Sequence, residues 1–218
     1  MLRLVSRVTE KMKACGGRSS YEVGALLTLC EKPYYAEMRE LAREVRKRYG
    51  LRTPRVELAD LEKICDAAGA KLDIWPGEFR RLRGAYFNDT YGAHVMVMKG
   101  LGKDAMVFTI AHELKHHLFD ANLKPYSGWH LSVPNPLEVG AEIFAAELIY
   151  PETNFRSDLS RLGVGGGTSP VETIVRLKRE AGTTLPYKVL AERAVKMGFA
   201  SQKSFDSKDW RRLERKDW

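Results

Sequence analysis

The chain has 218 residues, 44% of them hydrophobic, with a formal net charge of +8, which is enough for one packed core with appended segments. Its three cysteines, Cys15, Cys30 and Cys65, are odd in number and far apart, so neither a disulfide framework nor a cysteine-bound zinc is expected. The longest apolar run near the start, residues 23–30, is too short to span a bilayer and lacks a cleavage-site pattern. The composition therefore predicts a cytoplasmic protein with no membrane partner.

Charge is unevenly distributed along the chain. Residues 1–48 and 171–218 each have a net charge of +5, whereas residues 49–170 have a net charge of −2. Basic ends can bind nucleic acid, but they are also typical of solvated helix faces on which both signs of charge occur. A nucleic-acid partner is therefore compatible with the sequence but is not favoured.

The order of the predicted elements indicates an α+β fold. Turn and capping residues predict helices over about 34–49, 58–68, 104–118 and 136–150, short strands over 71–75, 83–87 and 93–98, and two more helices between residues 169 and 198. The glycine-rich stretch 163–169 is predicted to be a linker. It would separate a central domain, residues 34–162, from a basic helical appendage, residues 170–218, which looks like part of a helix-turn-helix. Residues 1–33 are predicted to be a helical extension with no assigned role.

The most specific motif in the chain is the sequence HExxH at residues 112–116. Two histidines four residues apart project from one face of a helix, so His112 and His116 can bind the same Zn²⁺ ion. Glu113 lies at the edge of that face, where it can take a proton from the attacking water instead of binding the metal. The opposite face carries an apolar stripe made of Val107, Ile110, Ala111, Leu114 and Leu118. The pattern predicts a helix that packs on a core and presents the motif to a cleft.

A catalytic zinc ion needs a third protein ligand and an open position. The next predicted helix carries Glu138 and Glu142 on a face that also bears small alanines, so either carboxylate can approach the metal. Glu138 is the favoured ligand, with Glu142 one turn on as an acceptor that orients a ligating histidine; the reverse assignment stays open. Glu147 lies on another face and is predicted to be a solvated charge.

Several stretches together resemble the ImmA/IrrE family of metallopeptidases. Residues 107–117 are similar to the family pattern FTxAHELGHxxL, and residues 138–151 are similar to ExxANxFAAxLLMP. Residues 48–54 resemble the family's YGLxxP segment, and stretches within residues 84–98 resemble its strand pair ahead of the active helix. The resemblance covers about residues 35–200.

The resemblance implies a zincin-like fold and a zinc-dependent endopeptidase that cleaves a helix-turn-helix transcriptional repressor, thereby derepressing phage, mobile-element or stress genes. It also implies that the third metal ligand is Glu138, which stands thirteen residues before the proline of the second pattern. Two residues depart from the family patterns. Lys115 replaces a glycine at a helix position that is predicted to be exposed, and Glu142 replaces an asparagine.

Other residues near the motif are predicted to support the site. His94, within a predicted strand, and His117, at the flank of the metal face, are expected to have structural roles. Tyr126 and His130 fall in an irregular stretch between the two ligand helices, where either side chain could stabilise the oxyanion of a tetrahedral intermediate. The strand at residues 93–98 is predicted to line the cleft and to pair with an extended peptide substrate.

The sequence thus predicts metal-assisted peptide hydrolysis, with Zn²⁺ held by His112, His116 and Glu138. Glu113 would act as the general base. The alternative is a DNA-binding or repressor-binding regulatory protein whose zinc site is not catalytic. A structural zinc site usually has four protein ligands and is rich in cysteine, so three predicted ligands beside a free carboxylate favour the enzyme.

Overall fold

The computed structural model describes residues 20–77, 83–121, 136–163, 169–206 and 209–214. In chain order its elements are α1 (Ser20–Tyr49), α2 (Leu58–Ala68), β1 (Ala70–Trp75), β2 (Gly84–Asp89), β3 (Gly92–Met98), α3 (Lys103–Lys115), a π-helical turn (His116–Asp120), α4 (Pro136–Ile149), α5 (Glu152–Arg161), α6 (Pro170–Ala181), α7 (Tyr187–Lys196), a 3₁₀ turn (Gln202–Ser204) and α8 (Trp210–Glu214). The fold is α+β, as predicted. Within the described residues, no helix is both long enough and apolar enough to cross a membrane.

Local capping interactions explain where several helices begin and end. Glu57 and Asp60 form a reciprocal capping box at the start of α2, and Gly69 ends that helix in the left-handed conformation, with a φ of 78°. Ser169 and Glu172 form a second capping box at the start of α6. The predicted start of α6 is therefore confirmed.

The first helix and the helix α5 differ from the prediction. The first helix begins at Ser20, so the predicted boundary after residue 33 falls inside α1; residues 1–19 lie outside the described residues. The helix α5 was not predicted. Its buried side is formed mainly by Phe155 and Leu159, and two apolar residues four apart make too short a stripe to predict a helix.

The sheet has three strands in the order β1-β3-β2. The predicted hairpin is confirmed, because β2 and β3 pair in antiparallel register with Gly84 opposite Val97. In addition, β1 pairs with β3 in parallel register, with Ala70 opposite Ala93. Val95 and Val97 are fully buried within the main hydrophobic core. The central strand β3 therefore has partners along both edges.

The helices that follow the glycine-rich stretch complete the same core. Their buried apolar residues, which include Ile174, Leu177, Tyr187 and Leu190, belong to one cluster with residues of α1, α3 and α4. Part of the predicted linker, residues 164–168, lies outside the described residues. The helices beyond it bury apolar residues in the common core.

A buried ion cluster joins three helices at the end of α4. The side chain of Glu147 is fully buried and accepts hydrogen bonds from Arg43 Nε of α1 at 2.9 Å and from Arg193 Nη2 of α7 at 2.6 Å. Its Oε2 also accepts a hydrogen bond from the backbone amide of Glu152 at 2.9 Å. The prediction that Glu147 is solvated is wrong, because two arginines from distant parts of the chain cover it.

Candidate metal centre

The helix α3 places both histidines of the HExxH motif on one side. His112 and His116 are one turn apart, and their side chains are 16% and 13% exposed. The other side of the helix is anchored in the core through Val107, Ile110 and Leu114. This division follows from the sequence, since the apolar stripe and the histidines recur with the same helical period on different faces.

Glu138, in the first turn of α4, faces both histidines. Its Oε2 atom lies 3.1 Å from His112 Nε2, and its Oε1 atom lies 3.5 Å from His116 Nε2. The two Nε2 atoms are 3.3 Å apart. The structure therefore brings together the three residues that the sequence predicts as metal ligands.

The separation of the two imidazole nitrogens fits a shared divalent metal ion. Zinc bonds to imidazole nitrogen and carboxylate oxygen are about 2.0–2.1 Å long, so ligand atoms at the corners of a tetrahedron are about 3.3–3.4 Å apart. The two Nε2 atoms, 3.3 Å apart, have that separation, and one ligand atom from each of the three residues lies within 4.8 Å of the other two. Two imidazoles and one carboxylate could thus hold a metal ion and leave one coordination position for a non-protein ligand.

Glu113 lies beside this cluster but is not one of its members. It is buried, and burial raises the pKa of its carboxyl group, although the neighbouring His112 and His116 act in the opposite direction. The backbone of β2 passes close by: a Cβ atom on Gly84 would lie 2.5 Å from Thr109 Cγ2 and 3.2 Å from Glu113 Cγ. Glycine at position 84 therefore allows β2 to confine one side of the Glu113 side chain.

A second carboxylate, which the sequence analysis missed, supports His116. The Nδ1 atom of His116 lies 2.6 Å from Asp120 Oδ2, which leaves Nε2 directed to Glu138. Burial lowers the pKa of His116, but its hydrogen bonds to Asp120 and Glu138 outweigh burial and raise that pKa to about 9. A carboxylate on the second ring nitrogen orients a metal-ligating histidine. The sequence contained a signal, because an acidic residue four positions after a helical histidine is its neighbour.

The structure changes the assignment of the other supporting residues. The orienting role predicted for Glu142 belongs to Asp120, so that prediction is wrong. Glu142 lies one turn beyond Glu138 on α4, where it is exposed and lines a neighbouring groove. The two candidates for oxyanion stabilisation, Tyr126 and His130, lie outside the described residues.

Two further histidines have the structural roles that were predicted. His117 Nε2 lies 3.0 Å from the carbonyl oxygen of Ala68, and its Nδ1 lies 3.3 Å from the hydroxyl of Tyr86. His94 Nδ1 lies 2.6 Å from Asp73 Oδ2 on the adjacent strand β1. Both rings therefore join elements of the fold and are not part of the metal cluster.

One residue within the motif differs sharply from its prediction. Lys115 was expected at an exposed helix position, but its side chain is fully buried. The prediction is wrong because the ammonium group is surrounded by hydrogen-bond acceptors from three parts of the chain.

No protein-family profile matches the chain, and no curated protein is significantly similar to it. The geometry of the site and the sequence motifs are therefore the basis for any function.

Proposed function

We propose that the chain is a zinc-dependent endopeptidase that cleaves a helix-turn-helix transcriptional repressor. The observation that carries the enzymatic part is the convergence of His112, His116 and Glu138 next to Glu113, a buried carboxylate outside that cluster. A bound zinc ion supplies Lewis acidity, which polarises the scissile carbonyl and lowers the pKa of the attacking water. Three protein ligands with one open position are typical of catalytic zinc sites and not of closed structural ones.

Each residue has a distinct task in peptide hydrolysis. His112, His116 and Glu138 would hold the metal. Glu113 accepts a proton from water as the water oxygen bonds to the carbonyl carbon. It then delivers that proton to the leaving nitrogen as the C–N bond breaks, so the carboxylate is regenerated. The position of Glu113 beside the ligands, and not among them, leaves both of its oxygens available for this transfer.

The sheet favours β2 as the strand that binds the substrate. The predicted strand, β3, is central in the sheet and already hydrogen-bonded along both edges, so that prediction is wrong. Within the described part of the chain, β2 is an edge strand, and its first residue, Gly84, lies against Glu113. An extended segment that pairs with β2 would run past the general base, with main-chain hydrogen bonds holding it in place.

A large groove extends from one helical turn beyond the candidate ligands, and its lining includes none of the four site residues. It has a volume of about 1570 Å³ and includes Phe108 and Glu142, which are one helical turn from His112 and Glu138 respectively. Its lining combines apolar side chains with charges of both signs. A groove of this size can contact more of a substrate than the scissile segment alone. The choice of a repressor as substrate is inferred from the sequence resemblance only.

The decisive experiment compares the unchanged protein with Glu113→Gln. Each is analysed for bound zinc and incubated with a proteome-derived peptide library and with helix-turn-helix repressors encoded near its gene, and new termini are identified by mass spectrometry. We expect both proteins to bind one zinc ion. Glu113→Gln should cleave about 10²–10⁴-fold more slowly, because only the proton acceptor has been removed.

Glu62→Gln is the matched control, since it removes an exposed carboxylate on α2 that belongs neither to the metal cluster nor to the groove. It should cleave like the unchanged protein. An undiminished rate in Glu113→Gln would reject the assigned mechanism. The absence of zinc from the unchanged protein, or of any cleavage by it, would reject the proposed enzyme.

A further inference from the structure

Lys115 is a fully buried lysine inside the HExxH motif. Its ammonium group donates to Asp120 Oδ2 at 2.5 Å, to the hydroxyl of Tyr34 at 3.0 Å and to the carbonyl oxygen of Leu137 at 3.2 Å. An ammonium group has three donor hydrogens. Each hydrogen of Lys115 therefore has its own acceptor, and the three acceptors come from α1, from the π-helical turn and from α4.

A glycine on α4 makes this arrangement sterically feasible. A Cβ atom at Gly140 would lie 2.5 Å from the Tyr34 hydroxyl oxygen and 2.7 Å from a carbon of its ring. Since real Cβ atoms do not approach other atoms so closely, the ring of Tyr34 rests directly on the backbone of α4. The three helices α1, α3 and α4 thus meet at the Lys115 ammonium group.

The contacts of Lys115 reach both halves of the metal cluster. The Asp120 oxygen that accepts from Lys115 also lies 2.6 Å from His116 Nδ1, so Lys115 fixes the carboxylate that orients one ligand. Leu137 directly precedes Glu138 in the chain, so the hydrogen bond to its carbonyl group fixes the backbone that carries another ligand. One cation therefore sets the position of His116 relative to Glu138.

Stability alone does not account for a lysine here. Removing an ammonium group from water is costly, and well-packed apolar residues can replace buried ion pairs without loss of stability. That holds when both Lys115 and Asp120 are replaced, whereas removal of the ammonium group alone leaves the Asp120 carboxylate uncompensated and is destabilising. The ammonium group holds three specific oxygens at fixed distances, which an apolar side chain cannot do.

We propose that Lys115 is a positioning residue of the metal centre, which sets the spacing of His116 and Glu138 for metal binding through Asp120 and the Leu137 carbonyl group. The inference rests on the proposed metal site. It assigns no contact between Lys115 and either metal or substrate.

The test compares Lys115→Met with Lys178→Met in the full chain. Lys178 is a matched control, because its buried ammonium group likewise donates to three acceptors. These are the carboxylate of Asp104 and the carbonyl groups of Thr183 and Leu185. These contacts lie at the opposite end of α3 from the metal cluster. Loss of either ammonium group should lower the free energy of unfolding, but only the loss of the Lys115 ammonium group should weaken metal binding.

Zinc affinity is measured by competition with a chelator, and coordination is followed by the visible spectrum of the Co²⁺-substituted protein. We expect Lys115→Met to bind Zn²⁺ about 10–100-fold more weakly, as for other residues that orient ligands, and to change the Co²⁺ spectrum. Lys178→Met should leave both unchanged. Equal affinity and an unchanged spectrum in Lys115→Met would overturn the inference, and so would an equal loss in the two variants.

If Lys115→Met does not fold, the variant Tyr34→Phe tests the positioning role of Lys115 instead. It removes one acceptor and keeps the ring against Gly140, and the loss of one hydrogen bond should weaken Zn²⁺ binding about fivefold. Unchanged affinity in Tyr34→Phe would then overturn the inference. Failure of the unchanged protein to bind Zn²⁺ would instead reject the proposed function, so the two failures are distinguishable.

Discussion

The two ends of α4 each carry a glutamate in a very different setting. At the first turn, the Glu138 side chain is 55% exposed and faces two imidazoles. At the last turn, the Glu147 side chain is fully buried between two arginines and also accepts a backbone amide hydrogen. The same residue type on the same helix thus belongs to a candidate metal site at one end and to the core at the other.

Glu138 and Glu147 differ in the side chains that donate hydrogen bonds to their carboxylates. An arginine is always protonated and binds no metal, so the oxygens of Glu147 are permanently engaged. An imidazole can release its proton and bind a metal through the same nitrogen. Only the donors around Glu138 can therefore be exchanged for a metal ion without breaking the fold, and three substitutions on α4 test this distinction.

The largest effect is expected for Glu147→Gln. It leaves the guanidinium groups of Arg43 and Arg193 without their shared carboxylate, and breaking such a buried pair costs about 3–5 kcal/mol. The free energy of unfolding is measured by urea denaturation in the presence of a chelator. Glu192→Gln is the control, because the Glu192 side chain on α7 is 45% exposed and, among the described residues, its ion pair is with Lys188. A loss below about 1 kcal/mol for Glu147→Gln would show that the cluster is not a structural one.

Glu138→Gln should have little effect on stability and a large effect on zinc affinity. Its side chain is largely exposed, so the free energy of unfolding without metal should change by no more than about 1 kcal/mol. Its zinc affinity should fall by on the order of 100-fold or more, since loss of a direct ligand exceeds the 10–100-fold cost of losing an orienting residue. The measurement is chelator competition at neutral pH. Retention of full affinity would exclude Glu138 as a ligand.

The smallest effect is expected for Glu142→Gln. Glu142 is exposed and one turn away from the cluster, so both stability and zinc affinity should stay near those of the unchanged protein, within about 0.5 kcal/mol. Isothermal titration with Zn²⁺ and urea denaturation check the two quantities. Loss of zinc in Glu142→Gln together with its retention in Glu138→Gln would move the third ligand to Glu142.

The candidate ligands were accessible to sequence analysis because their arrangement is mostly local. His112 and His116 share a face through the period of a single helix, and Glu138 stands at the start of the next predicted one. Asp120 was equally accessible, since it follows His116 by four residues. It was missed because the helix was predicted to end at residue 118, before Asp120, whereas the chain continues as a π-helical turn from His116 to Asp120.

The burial of the charged side chains of Lys115 and Glu147 could not be predicted from the sequence in the same way. Lys115 follows Ala111 by four residues and so borders the apolar stripe, but a lysine is rarely buried without partners. The partners are remote: the Tyr34 hydroxyl is 81 residues away from Lys115, and Arg43 is 104 residues away from Glu147. No local periodicity indicates which distant side chains will converge on a charge.

The order of the strands was also beyond a local pattern. The hairpin of β2 and β3 follows from a short turn between alternating segments, and it was predicted. The parallel pairing of β1 with β3 joins two strands that are separated by β2 in the sequence, so a local pattern does not indicate it. That pairing makes β3 central, so the choice of a substrate-binding strand could only be corrected once the topology was known.

The position of Arg193 in the chain has a consequence for protein synthesis. This arginine reaches back to Glu147 and to the carbonyl group of Tyr150 at the end of α4. A ribosome adds about 5–20 residues per second, so Arg193 is joined to the growing chain roughly 3–11 s after Glu138 at that rate. During this interval the nascent chain carries every candidate metal ligand but lacks the side chain that fixes the end of the ligand helix. The end of α4 at Glu147 therefore reaches its final arrangement only after residue 193 has been translated, later than the candidate metal ligands themselves.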